Sequence, residues 1–129
     1  MRLVVDGNDG TGKSTTAALL RKLGYRVMDR GLPTDLTDHP GSVQLNLFEF
    51  YLILDVPVEV SRARLAKAGR NLDEKYHTVK DLTHYRERFK AVAKILGDQA
   101  VLVDASGTPE EVVSAILLIL SERSLSRTV

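Results

Sequence analysis

The chain has 129 residues and a formal net charge of +1, room for one compact domain and too weak a field to draw the whole chain onto polymeric nucleic acid or a membrane surface. It contains no cysteine, which excludes disulfides, thiolate nucleophiles and cysteine-ligated zinc and fits a reducing compartment. No apolar run approaches the roughly 20 residues that cross a bilayer, and the opening Met1-Arg2-Leu3-Val4-Val5 is too short for a signal peptide, so the expectation is a cytoplasmic protein with residues 1–129 as one domain.

Residues 2–6, Arg2-Leu3-Val4-Val5-Asp6, are a β-branched run ending in glycine-rich sequence, as in a buried parallel strand entering a turn. Lys13 to Leu23 supply good helix formers with Leu19, Leu20 and Leu23 on one face, and Gly24 sits where a helix C-terminal cap belongs. Tyr25 to Met28 read as a second short strand, and residues 29–47 mix Asp, Pro, Gly, Thr and Ser without periodicity, the pattern of a loop. Phe48 to Val56 is the most strand-like run, closed by Pro57, which also opens a helix over residues 58–68. Gly69 breaks that helix, and Arg70 to His77 is a polar loop expected to be mobile.

Thr78, with an acid three residues on at Asp81, starts a longer helix whose apolar stripe is Leu82, Tyr85, Phe89, Val92 and Leu96, ended by Gly97. Ala100 to Asp104 reads as a buried strand. Thr108-Pro109-Glu110-Glu111 places an N-cap, a proline and two acids at the start of a last amphipathic helix, frayed after Glu122. Strands alternating with helices predict a three-layer α/β fold, a small parallel sheet flanked by helices. The apolar stripe of the last helix either packs on that sheet or faces a second copy in a homodimer.

Gly7-Asn8-Asp9-Gly10-Thr11-Gly12-Lys13-Ser14 matches the Walker A phosphate loop, G-x-x-x-x-G-K-[ST], at every fixed position, between a strand and a helix as the motif requires. Three glycines let the backbone curl around a phosphate with its N–H groups inward, and the helix starting at Lys13 adds the positive end of its dipole. Lys13 is placed to neutralise β and γ phosphates, Ser14 to ligate a magnesium ion that bridges them, and Thr15 to reach the α phosphate. The ending Gly-Lys-Ser separates this loop from that of dinucleotide-binding folds. The expected ligands are therefore ATP and Mg2+ in a P-loop NTPase fold.

A P-loop enzyme needs a carboxylate on a neighbouring strand to hold the metal's water shell, and Asp29 in Met28-Asp29-Arg30-Gly31 is the first candidate, with Arg30 available for an acceptor phosphate. Asp55, ending another strand, is the alternative. Arg62, Arg64, Lys67 and Arg70 precede the polar segment Asn71-Leu72-Asp73-Glu74-Lys75, so residues 58–77 read as a helix and an arginine-bearing lid. The P-loop contains no arginine, and a lid arginine would stabilise the charge of a transferring phosphoryl group; Arg64 and Arg70, which bracket Gly69, are favoured over Arg62. His39, His77 and His84 lack metal-ligand spacing and read as surface or loop positions, Tyr85 and Phe89 as core.

These residues together resemble the thymidylate kinase family of P-loop nucleoside monophosphate kinases. The resemblance runs through Asp6 to Thr15, the pair Asp29-Arg30, Tyr51 to Pro57, Val60 to Arg70, Tyr85 to Phe89 and Val101 to Val113. It implies ATP-dependent transfer of the γ-phosphoryl group to a deoxynucleoside monophosphate such as dTMP, a role in nucleotide biosynthesis, Asp9 reaching the acceptor's sugar 3′-hydroxyl, and Ala105-Ser106-Gly107-Thr108 near the adenine. Family members are usually longer between Asp29-Arg30 and Phe50, so residues 31–50 would form a shortened acceptor-side segment. Two other readings stand beside it: a kinase of a nucleoside or other small hydroxyl compound, with Asp9 or Asp29 taking its proton, and a nucleotide-binding regulatory module without efficient transfer.

Overall fold

The computed structural model describes residues 1–29 and 49–123. Among these residues four strands, β1 (Arg2–Gly7), β2 (Val27–Asp29), β3 (Glu49–Asp55) and β4 (Ala100–Asp104), pair in parallel in the order β2-β1-β3-β4. Val4 is registered with Met28 on one side and Tyr51 on the other, and Ile53 with Leu102. Among the described residues four α-helices flank the sheet: α1 (Lys13–Lys22), α2 (Val58–Lys67), α3 (Val79–Leu96) and α4 (Pro109–Glu122).

The strands are apolar on both faces because both are covered, as parallel sheets demand. Leu3, Val5, Leu52 and Leu54 point to one side and pack with Ala17 and Leu20 of α1 and Val112, Ile116 and Leu120 of α4. Val4, Tyr51 and Ile53 point to the other side, against Phe89, Val92 and Leu96 of α3. The apolar stripe of α4 thus packs on the sheet, and Leu118 remains exposed on its outer side. Among the described residues no helix is long and apolar enough to cross a membrane.

Local signals set the element ends. Thr78 accepts a hydrogen bond from the Asp81 N–H, while Asp81 accepts one from the Tyr76 N–H instead of completing a capping box. Thr108 and Glu111 form the full reciprocal box, which holds the Glu111 carboxyl below its ordinary pKa through the hydrogen bond from the Thr108 N–H. Helix α1 ends with the Gly24 N–H on Arg21 O and the Tyr25 N–H on Leu20 O, the double bond of a Schellman cap. Tyr25 is consumed by that cap, so β2 starts at Val27, two residues beyond the predicted start.

The strand order reverses at β1: the chain leaves it for β2 on one side and returns to β3 on the other. In parallel α/β sheets the crevice at the carboxyl ends of such a switch point is where ligands bind. The Gly7–Ser14 loop opens at that point.

Candidate active site

The loop is held by close backbone approaches that only glycine allows. Gly7 (φ +139°) and Gly10 (φ +81°) leave no space for a side chain: an added Cβ would stand 2.5 Å from Leu54 O and 2.7 Å from Ser61 O respectively. Gly10→Ala is accordingly expected to destabilise the protein by about 2 kcal/mol or more, combining left-handed strain with a backbone clash, measurable by thermal or denaturant unfolding. Side chains complete the anchoring. Thr11 donates to Asn8 O at 2.7 Å, Asn8 Nδ2 donates to Leu82 O of α3 at 2.9 Å, and Arg64 of α2 donates to Gly10 O at 3.3 Å.

Lys13 begins α1 and its side chain is 9% exposed. Its ammonium donates to Gly7 O at 2.7 Å and lies 3.7 Å from Asp9 Oδ1, so it bridges the two sides of the loop and faces the cleft they enclose. Ser14 donates to Asp29 Oδ2 at 3.3 Å, joining the start of α1 to the end of β2. The hydroxyl and the carboxylate are hard oxygen donors of the kind magnesium takes. Among the described residues no cluster of three carboxylate or histidine groups could hold a metal by itself. A single carboxylate and a hydroxyl suit an ion that keeps several waters and is completed by phosphate oxygens.

Arg21 donates to Asp29 Oδ1 at 3.1 Å and to Val27 O at 2.9 Å. This hydrogen bond from Arg21, more than the one from Ser14, holds the Asp29 carboxyl below the usual aspartate value against the opposing effect of desolvation. Because the folded value is depressed, the stability it contributes is full above the unfolded carboxylate pKa and is lost as pH falls through the folded one. Arg21→Ala is expected to raise the Asp29 pKa, and a carboxyl-carbon NMR titration would read the shift; an unchanged midpoint would assign the depression elsewhere.

Two adjoining clefts flank the loop. The first, about 400 Å³, is lined by Asp9, Lys13, Ser14, Asp29, Arg70 and residues 74–77. The second, about 280 Å³, lies between Thr11, Thr15, Arg64, Ala105, Gly107 and Pro109. The structure thus brings Asp9, Lys13, Ser14, Asp29 and Arg70 together and puts Thr15 on both clefts. Arg64 is on the second cleft only, donating to Ala105 O at 2.7 Å and Gly107 O at 3.2 Å as well as to Gly10 O. The Gly69 cap directs Arg70 inward: Gly69 N–H bonds Ala66 O, Arg70 N–H bonds Leu65 O, and Gly69 takes φ +75°. Arg30, His39 and the acceptor-side segment as far as residue 48 lie outside the described residues.

Three features were not foreseen in the sequence. His77 is not a surface residue: it is 1% exposed, with Nε2 3.0 Å from Asp9 Oδ2 and Nδ1 3.0 Å from Asn71 O. Arg62 donates to Leu72 O at 3.1 Å and His77 O at 2.9 Å, so it pins both ends of the loop predicted to be mobile. Both oxygens of Asp55, the alternative metal carboxylate, accept from Arg86, at 2.9 and 3.2 Å. The only local signal for any of these was His77 directly preceding the N-cap Thr78.

A parallel sheet with helices on both faces and a glycine cradle at its switch point defines the three-layer α/β P-loop fold. Solved structures agree. Deoxyadenosine kinase from M. mycoides with the products dCMP and dCDP matches with a TM-score of 0.69 and 17% identity over 95% of this chain and 100% of that one. YorR from Bacillus subtilis in complex with phosphorylated GDP matches with a TM-score of 0.69 and 16% identity over 99% of this chain and 100% of that one. Shikimate kinase from Aquifex aeolicus matches with a TM-score of 0.59 and 20% identity over 97% of this chain and 99% of that one. At these identities the likeness is one of fold. No protein-family model and no curated protein matches the sequence.

Proposed function

We propose that this chain is a magnesium- and ATP-dependent phosphotransferase that moves the γ-phosphoryl group to a nucleoside-scale acceptor, a nucleoside or a nucleoside monophosphate such as dTMP. The observation that carries the reading is the convergence of Lys13, Ser14, Asp29 and Arg70 on one cleft at the mouth of the glycine cradle. The nucleotides in the M. mycoides and YorR structures support a nucleoside-scale acceptor on the same fold.

In this reading the N–H groups of the 7–15 loop and the start of α1 bind the donor phosphates, and Lys13 exchanges Gly7 O for the oxygens of the transferred group. Ser14 and Asp29 would hold magnesium, which when bound neutralises β and γ phosphate charge. Arg70 approaches from the lid side and offers positive charge to the equatorial oxygens, while Arg64 ties the loop to residues 105–107 and shapes the second cleft for the donor's base. Asp9 orients the acceptor, with Arg30 as its phosphate partner. Catalysis is by positioning and electrostatics, without a protein nucleophile.

Coupled-assay turnover with a panel of nucleosides and nucleoside monophosphates tests the reading. Acceptor-dependent ADP release is expected with at least one of them. Tight ATP binding with no such release would refute transfer and leave a nucleotide-binding module.

A further inference from the structure

His77 is a buried titratable group that the reaction outlined above does not use. Its Nδ1 lies 3.0 Å from the Asn71 carbonyl oxygen, which can only accept, so Nδ1 carries a hydrogen. Its Nε2 lies 3.0 Å from Asp9 Oδ2, and an ionised carboxylate can also only accept. One further proton must therefore lie between ring and carboxylate.

Carboxylates face both ring nitrogens. Glu74 Oε1 stands 3.9 Å from Nδ1, Asp9 itself faces Nε2, and the Arg62 guanidinium approaches the histidine only through its backbone carbonyl. Lys13 Nζ lies on the far side of Asp9, 3.7 Å from Oδ1. Backbone bonds fix the imidazole: the His77 N–H donates to Glu74 O, and Arg62 holds the carbonyls of Leu72 and His77.

We propose that His77 is a positioning residue for Asp9: with its ring fixed between Asn71 O and Asp9, it holds one carboxylate oxygen and leaves the other turned to the cleft as an acceptor for a substrate hydroxyl. Asp9 is 22% exposed and lines the cleft with Lys13 and Arg70, so that oxygen is reachable from the phosphate site. A carboxylate accepts from a hydroxyl and repels phosphate oxygens. The acceptor therefore presents a hydroxyl, not a phosphate, to this end of the cleft. The inference rests on the phosphotransfer reading for its consequence and on hydrogen-bond geometry alone for the His77–Asp9 pair.

Two variants separate positioning from simple loop support. Gln at position 77 places a donor near the Nε2 position and can reach Asp9, whereas Asn places one near Nδ1 and reaches only Asn71 O. With the best acceptor from the panel, His77→Asn is expected to lower kcat/KM for the acceptor about ten- to a hundredfold, as misplacement of an orienting group does. Its KM for ATP should stay within about twofold, and His77→Gln should recover most of the loss. Where the hydroxyl at Asp9 is not the one that receives the phosphoryl group, an acceptor analogue lacking it should cost no further activity in the Asn variant. Equal losses in both variants with matching falls in melting temperature, or no loss in His77→Asn, would overturn the proposal. Ring nitrogen-15 spectra of His77 in the wild-type chain give a readout independent of turnover: a hydrogen bond between Nε2 and Asp9 is expected, and an Nε2 without one overturns the proposal. If no acceptor supports turnover, phosphotransfer fails while the nitrogen shifts still decide the pair.

Discussion

Lys13→Ala is expected to lower acceptor-dependent turnover about a hundred- to a thousandfold, the cost of losing a preorganised charge aimed at a transferring group. The loss should exceed any effect on folding. In the free protein the ammonium is satisfied by Gly7 O and lies near Asp9, so truncation removes one hydrogen bond and exposes no new buried charge. Folded secondary structure should persist by circular dichroism, and the deficit should fall on kcat more than on the KM for ATP, because the ammonium meets charge that redistributes as the β–γ bond breaks. Turnover within about twofold of wild type would show that the cradle does not hold the transferred group.

Asp29→Asn should be the second largest effect, about ten- to a hundredfold in magnesium affinity or in turnover at fixed magnesium, the usual cost of a group that orients a metal's ligands. The amide keeps the shape and can still accept from Ser14, so the change isolates charge. It also removes the anionic partner of Arg21. A magnesium titration of the rate checks it: the half-saturating concentration should rise while ATP binding without metal stays close to wild type. Coincident titration curves would move the metal carboxylate elsewhere. Asp55 is an unsuitable substitute, since Arg86 engages both of its oxygens.

How much of this was legible from residues alone follows the range of the interactions. The cradle, the caps at Thr78 and Thr108 and the stops at Gly24 and Gly69 are written within a few neighbouring residues, and they were read where they occur. The Ser14–Asp29 pairing could be anticipated as chemistry, because a P-loop needs such a carboxylate, but not as geometry, which depends on β2 lying beside β1. The partnership of His77 with Asp9 spans 68 positions and belongs to no local pattern. Arg62 and Arg64 look alike in sequence. Two helical positions, about 200° around the axis, decide that the first faces the Leu72–His77 loop and the second the loop after β4. Arg70 reached the cleft lined by Lys13 and Asp29 because a left-handed glycine turned the chain there.

The reversal of strand order at β1 has a consequence for how such a protein can change. Strands β2 and β3 are both docked in parallel on β1, so the chain between them has to cross back from the carboxyl end of β2 to the amino end of β3. Closing a longer connection costs little, about 0.6 kcal/mol for each doubling. Lengthening that crossover therefore weighs little against the pairing of β1 with both neighbours, which holds the Gly7–Ser14 loop at the switch point. The loop's frame and the length of the crossover beside it can vary independently.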